Sequence, residues 1–137
     1  STKVVLPIHP RTRKIIKENN LIHLVKNLIF IEPQSYKNMA ILSKNASIII
    51  TDSGGLQKEA YLYSVPCLTL RERTEWQELV DSGWNKLCNP SEEEDIIRSL
   101  EIQKSFSLKS NHPNFYGEGY SSKEIVSFLQ NLRQNNS

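Results

Sequence analysis

The stretch Ala46-Ser47-Ile48-Ile49-Ile50-Thr51-Asp52-Ser53-Gly54-Gly55-Leu56-Gln57-Lys58-Glu59-Ala60 decides how the rest of this chain is read. Its first six residues, ASIIIT, are rich in β-branched side chains and almost uniformly apolar. That is the composition of a parallel strand covered on both faces, and it predicts the centre of a sheet. Asp52-Ser53-Gly54-Gly55 reads as a tight turn, and Leu56 to Tyr63 as a helix. Strand, glycine turn and helix start therefore follow one another without a gap.

The same alternation extends in both directions. Lys3 to Ile8 predicts a short strand ending at His9-Pro10, and Arg11 to Asn20 carries Ile15 and Ile16 at helical spacing. Asn27 to Ile31 predicts a second strand, stopped by Glu32-Pro33-Gln34, before a helix from Tyr36 to Lys44-Asn45. Downstream, Val65 to Leu70 predicts a buried strand, Thr74 to Ser82 a short helix stopped by Gly83, and Trp84 to Cys88 another strand. Ser91-Glu92-Glu93-Glu94 predicts a capped helix start with acids at its positive end. Phe106 to Tyr120 reads as a long ordered loop or crossover, and Ser121 to Leu132 as an amphipathic helix. Strands alternating with helices at short spacing predict an α/β fold with a doubly wound parallel sheet, in which ligands bind beyond the carboxyl ends of the strands.

Composition narrows the partners. The 137 residues, 38% hydrophobic and 23% charged, suit one globular domain with a core of its own. A net charge of +2, with basic residues spread among acids, gives no nucleic-acid footprint. Cys67 and Cys88 lie among apolar neighbours with no CxxC spacing and predict buried reduced thiols. His9, His23 and His112 are scattered, so neither metal nor cofactor is expected. No apolar run approaches the roughly 20 residues of a membrane span, and the expectation is a cytoplasmic chain. Its abrupt opening from Ser1-Thr2 into a strand suggests a domain taken from something longer.

The turns carry the chemistry. Unpaired amides at the helix start, with no side chains at Gly54 and Gly55 to block approach, form an anion cradle suited to a pyrophosphate, with Ser53 beside them. The alternative is a glycine turn needed only for close strand–helix packing. Glu59, one helical turn on, can accept hydrogen bonds from two ribose hydroxyls, or be a solvated helix acid. Arg71 follows the strand VPCLTL at the carboxyl edge, placed to meet a phosphate or a carboxylate, or else to pair with Glu72 or Glu75. His9 ends the first strand, where an imidazole can serve a leaving phosphate or simply cap a helix. Gln34 and Tyr36 follow the second strand, at the level of a base or as ordinary helix-entry packing. The DSGG string resembles the surroundings of a protease serine, but a strand-to-helix context argues against a nucleophilic Ser53, and Thr51 stands where the G-x-S-x-G elbow has its first glycine.

TDSGGLQKEA, followed by VPCLTLRERTEWQE and GWNKL, resembles the non-hydrolysing UDP-N-acetylglucosamine 2-epimerases. The resemblance begins at PIHPRTRK (residues 7–14), continues through IEPQSYKNM, and includes NFYGEGYSS (residues 114–122), which is similar to the family's NPYGDG segment. It implies a Rossmann-like domain over residues 1–137, the C-terminal, UDP-binding half of a GT-B-type two-domain fold whose N-terminal domain is absent from this chain. It further implies that Ser53, Gly54 and Gly55 bind the diphosphate and Glu59 the ribose. Gln34 and Tyr36 would line the uracil pocket, Arg71 would lie near the cleft, and His9 would be the active-site histidine.

The family interconverts UDP-GlcNAc and UDP-ManNAc by eliminating UDP and adding it back. The carboxylates that move the C2 proton belong to the N-terminal domain, so this chain alone is not expected to epimerise. A homodimer for the full-length protein, UDP-N-acetylhexosamine as its ligand and a place in cell-envelope polysaccharide biosynthesis follow as expectations. Lys58 departs from a common glutamate, Arg73 from a threonine, Trp76-Gln77 from Arg-Pro, and Met39 from a residue that is often aromatic. A GT-B glycosyltransferase half shares the GG turn and ribose glutamate. The R-x-x-T-E segment favours the epimerase over it, with the hydrolysing epimerases third. A non-catalytic nucleotide-sugar-binding module is the reading of a different kind.

Overall fold

A computed structural model describes residues 3–106 and 111–135, with side chains up to residue 132. The chain divides into two compact units, Ser1–Ser47 and Ile48–Ser137.

In the first unit, β1 (Val4–Pro7) runs parallel to β2 (Leu28–Ile31), with Val4 opposite Leu28 and Pro7 opposite Ile31. Between them come α1 (Pro10–Glu18) and a 3-10 turn, Leu21–His23, a segment to which the sequence pattern assigned no element. Proline at the first helical position suits α1, because that N–H has no intrahelical partner to lose. Asn20, in the left-handed region at φ 53°, then turns the chain into the 3-10 segment, and asparagine tolerates that conformation better than most side chains. After β2, Ser35 caps α2 (Tyr36–Lys44) by accepting the Asn38 N–H. Ile8 is the buried apolar anchor of this unit.

The second unit contains β3 (Ile49–Thr51), α3 (Gly54–Leu62), β4 (Cys67–Thr69), α4 (Gln77–Asp81), β5 (Asn85–Leu87), α5 (Glu93–Lys104) and α6 (Ser121–Asn135). Its strands are parallel in the order β3-β4-β5. Within this sheet β4, with all three residues buried, is the middle strand, and β3 lies at the end of the order beside it. The expectation that the ASIIIT run forms the centre is corrected here: Ile50 is 44% exposed. Uniform apolarity reports burial, but strand order depends on partners that periodicity does not record.

Beside the sheet, Tyr61, Leu79 and Trp84 form a buried cluster against which Trp76, Phe106 and Tyr116 pack. Ring pairs in it meet edge to face: Tyr61–Trp84 and Tyr61–Tyr116 at 5.8 Å, Trp76–Tyr116 at 5.9 Å and Trp84–Phe106 at 5.1 Å. The loop leading to α6 is held down by that cluster. His112 stacks on Tyr61 at 4.1 Å, the Tyr61 hydroxyl donates to the Pro113 carbonyl, and the Trp84 indole donates to the Asn111 carbonyl at 3.0 Å.

The start of α5 also differs from expectation. Ser91 does not cap it; Glu92 is the cap residue and makes no side-chain capping bond. Asp95 turns back to accept the Asn89 N–H at 2.8 Å instead, and Asn89 donates to Glu92 at 2.8 Å. On α6 the apolar face is exposed at Ile125, Val126, Phe128, Leu129 and Leu132.

Candidate functional site

The glycine turn lies where β3 meets α3. Leu70 donates its N–H to the Thr51 carbonyl at 2.9 Å, so the carboxyl ends of β3 and β4 stand side by side. The Asp52-Ser53 turn and Arg71 therefore share one edge of the sheet, as the sequence predicted.

Ser53 is the cap of α3, and its bonds decide which amides remain. Its own N–H donates to Thr51 Oγ1 at 3.0 Å, its Oγ accepts the Leu56 N–H at 3.5 Å, and its carbonyl accepts the Gln57 N–H at 3.3 Å. In the first turn of a helix that leaves the N–H groups of Gly54 and Gly55, which helix geometry gives no internal acceptor. These two donors sit at the positive end of α3, where an anion is stabilised by aligned amide dipoles.

The two glycines exist for different reasons. A Cβ at Gly54 would need the space occupied by Oε1 of Glu75. At Gly55 the nearest atom is Ser53 Oγ at 4.0 Å, so packing has no need of a glycine there. Neither has a positive φ. Glycine costs about 0.5–1 kcal/mol relative to alanine in a helix, and the packing at Gly55 gives nothing to offset that.

Glu59 follows on α3, half-buried, and its carboxylate makes no hydrogen bond or ion pair with another described residue. Arg71 meets Glu75 across 3.3 Å, which is the carboxylate pairing weighed as the alternative for it. The two side chains are 42% and 53% exposed, so the pair itself contributes little to stability. Its effect is on charge: an acid stands against Gly54 at the start of α3 with a guanidinium beside it.

In the first unit His9, Gln34 and Tyr36 follow β1 and β2, whose carboxyl ends are neighbours through the Pro7–Ile31 register. His9 caps α1, with Nδ1 accepting the Arg11 N–H at 3.2 Å, so any outward hydrogen bond from the ring falls to Nε2. Gln34 is committed at both ends: its Nε2 donates to the Glu32 carbonyl at 2.7 Å and its Oε1 accepts from Asn38 at 3.1 Å. That stiffens the loop and leaves the amide one N–H and one lone pair for a further partner. Tyr36 is 72% exposed at the start of α2. An ion pair of 2.6 Å between Arg13 and Glu32 ties α1 to the same loop.

Sequence reasoning missed the residues that hold the glycine turn. Thr74, Trp76 and Asn85 were read as parts of a helix and a strand, yet the Trp76 indole donates to the Gly54 carbonyl at 2.9 Å, and Thr74 and Asn85 both donate to Gln57. The one local signal was asparagine inside a strand, a position from which it is depleted. Cys67 and Cys88 are buried and unpaired, and burial pushes the Cys67 thiol up to about 11, so it stays protonated and unreactive at neutral pH. Among the described residues no group of three or more His, Cys, Asp or Glu is placed to hold a metal ion, and no helix is long and apolar enough to cross a membrane.

Comparison with known proteins follows this geometry. The family model described as UDP-N-acetylglucosamine 2-epimerase matches residues 1–130. A UDP-N-acetylglucosamine 2-epimerase homolog of Methanococcus maripaludis is 46% identical over 134 residues, covering 95% of this chain and 36% of that protein. The UDP-N-acetylglucosamine 2-epimerase of Methanocaldococcus jannaschii is 42% identical over 129 residues, covering 92% of this chain and 34% of its own length. A crystal structure of the latter species' UDP-GlcNAc 2-epimerase, in complex with UDP-GlcNAc and UDP, superposes with a TM-score of 0.80 at 39% identity, over 94% of this chain and 36% of that one. The chain thus spans about a third of the length of these relatives.

Proposed function

The chain belongs to the UDP-N-acetylglucosamine 2-epimerase family, and from that premise we propose that it is the UDP-gripping part of an enzyme that interconverts UDP-GlcNAc and UDP-ManNAc. The observation that carries this reading is the pair of amides at Gly54 and Gly55, uncommitted by the helix and open to solvent at Gly55, at the positive end of α3. Two fixed N–H groups there suit the diphosphate. Glu59, half-buried and unpaired among the described residues, suits the two ribose hydroxyls.

Elimination of UDP from the sugar puts negative charge on the departing phosphate. Amide dipoles already aimed at that oxygen stabilise it without reorganising, so one element serves both binding and catalysis. In this scheme Arg71 exchanges Glu75 for a phosphate oxygen, and His9 presents Nε2 to the leaving group. The loop at Gln34 and the exposed ring of Tyr36 line the base. Residues 1–137 act as the C-terminal half of a GT-B-type enzyme, with the groups that move the C2 proton supplied from an N-terminal domain. Homodimer formation, a cytoplasmic location and supply of cell-envelope polysaccharide synthesis complete the proposal.

Calorimetric titration of UDP into the chain, beside Glu59→Ala, tests it. Saturable binding that weakens by about 1–3 kcal/mol in the variant is expected, the loss of a charged hydrogen-bond partner. A folded chain that does not bind UDP would count against the reading.

A further inference from the structure

Directly behind the two glycine amides lies a buried polar network to which the nucleotide reading gives no role. Gln57 is wholly buried, as are Thr69 and Asn85. Its Oε1 accepts two hydrogen bonds, from the Thr74 hydroxyl at 2.6 Å and from Asn85 Nδ2 at 3.0 Å. Its Nε2 donates to the Ser53 carbonyl at 3.3 Å. Each partner is fixed in turn: Asn85 Oδ1 accepts from the Thr69 hydroxyl at 2.7 Å, and Thr74 Oγ1 accepts the Trp76 N–H at 3.2 Å.

This arrangement has one direction only. A carbonyl oxygen has two lone pairs, and both on Gln57 are filled. Turning the amide over would set its NH2 group against that of Asn85 and face its oxygen to the Ser53 carbonyl, whereas the Thr74 hydroxyl can accept as well as donate. In a buried site each such mismatch costs the full desolvation of the orphaned group. The network therefore locks rather than merely fills.

What it locks is the anion site. Ser53 is gripped twice by Gln57, through the side chain and through the backbone N–H at 3.3 Å, immediately before Gly54 and Gly55. At its other end the network holds Thr74, the residue before Glu75, whose carboxylate stands against Gly54. The Trp76 indole closes the ring by donating to the Gly54 carbonyl at 2.9 Å. Hydrogen bonds weaken steeply as the donor angle falls toward about 120°, so the value of the two glycine amides depends on their aim.

We propose that Gln57 is the positioning residue of the diphosphate site: its amide sets the aim of the Gly54 and Gly55 N–H groups and holds the Thr74–Trp76 segment as the facing wall. The proposal rests on the nucleotide reading of the glycine turn and deepens it. Gln57 lies behind the helix start, makes its bonds to protein groups, and acts on a ligand only through the turn. Two aimed donors recognise a diphosphate in particular, because its second phosphate supplies oxygens that a monophosphate lacks.

The test compares UDP with UMP in calorimetric titrations of the chain, of Gln57→Met, which keeps the shape and removes the amide, and of Thr74→Val, which removes one donor to Gln57. The wild-type chain is expected to prefer UDP. In Gln57→Met that preference falls about tenfold, the loss of one well-aimed charged hydrogen bond, and Thr74→Val shifts it the same way by less. Thermal melts establish that each variant is folded at the titration temperature. Variants that melt earlier yet keep the wild-type preference show Gln57 to be structural only and overturn the proposal, leaving the nucleotide reading intact. A wild-type chain that binds UDP no better than UMP overturns it as well, and one that binds neither overturns both. Should Gln57→Met fail to fold, an unchanged preference in Thr74→Val is sufficient to overturn it.

Discussion

The Lys58 ammonium lies 4.8 Å from the ring centroid of Trp76 and 4.1 Å from that of Tyr116. Positions 58 and 76 are two at which the sequence departs from the pattern of the family it resembles, lysine for a glutamate and tryptophan for an arginine. In the fold they face one another. An ammonium is held there over an aromatic face.

That pairing makes the effects of substitution non-additive. Trp76→Arg alone sets two cations together and removes the indole's bond to Gly54, and is expected to destabilise by about 1–3 kcal/mol. Adding Lys58→Glu should recover about 0.5–1 kcal/mol of this. Urea unfolding of the two single variants and the double variant measures the coupling; additivity would show that the contact contributes nothing.

Glu75 is an acid standing against Gly54, at the mouth of the proposed diphosphate site. Glu75→Gln should tighten UDP binding a few-fold, about 0.5–1 kcal/mol, by removing the charge at Gly54 and releasing Arg71. The gain should shrink toward zero in 1 M salt, where exposed charges about 3 Å apart or more are screened. Weaker binding in the variant would mean that Glu75 itself holds the ligand.

Gly83 ends the turn after α4 at φ +81°, and a Cβ there would stand 3.0 Å from the Phe106 ring. Gly83→Ala adds left-handed strain to overpacking, and a loss of about 1–3 kcal/mol is expected in thermal or urea unfolding. Gly117, also at positive φ but with nothing near its Cβ, should cost less when replaced by alanine.

Asp95 should make stability fall in acid. The Asn89 N–H at 2.8 Å and the Arg98 guanidinium at 2.6 Å hold its carboxyl below the usual carboxylate range. A depressed folded-state pKa stabilises fully above the unfolded value of about 3.9 and loses that contribution as pH falls through the lower folded value. The stability difference between wild type and Asp95→Asn should therefore be level near neutrality and close below about pH 4. A gap that persists in stronger acid would assign the effect to shape rather than charge.

The strand–turn–helix at residues 49–62 was legible because its signals are local: a β-branched run, then Asp-Ser-Gly-Gly, then helical spacing. The support of the turn was not legible, because Gln57 meets Thr74 across 17 positions and Asn85 across 28, and such bonds leave no period in the sequence. Edge and middle strands were misjudged for a related reason: Ile49–Thr51 and Cys67–Thr69 are both apolar, and only pairing tells them apart. At α5 a run of three glutamates masked the true arrangement, in which Glu92 is the cap residue and Asp95 accepts the Asn89 N–H.

The edge-to-face rings of Tyr61, Trp84, Tyr116 and Trp76 give this protein an optical signature separate from its backbone. Aromatic transitions held in a fixed chiral arrangement rotate near-ultraviolet light, and that signal vanishes when packing loosens even if helices persist. Circular dichroism between about 260 and 300 nm thus reports on the tertiary lock around α3, while the far-ultraviolet band reports on the helices themselves. A variant that kept the second and lost the first would have a secondary structure without a site.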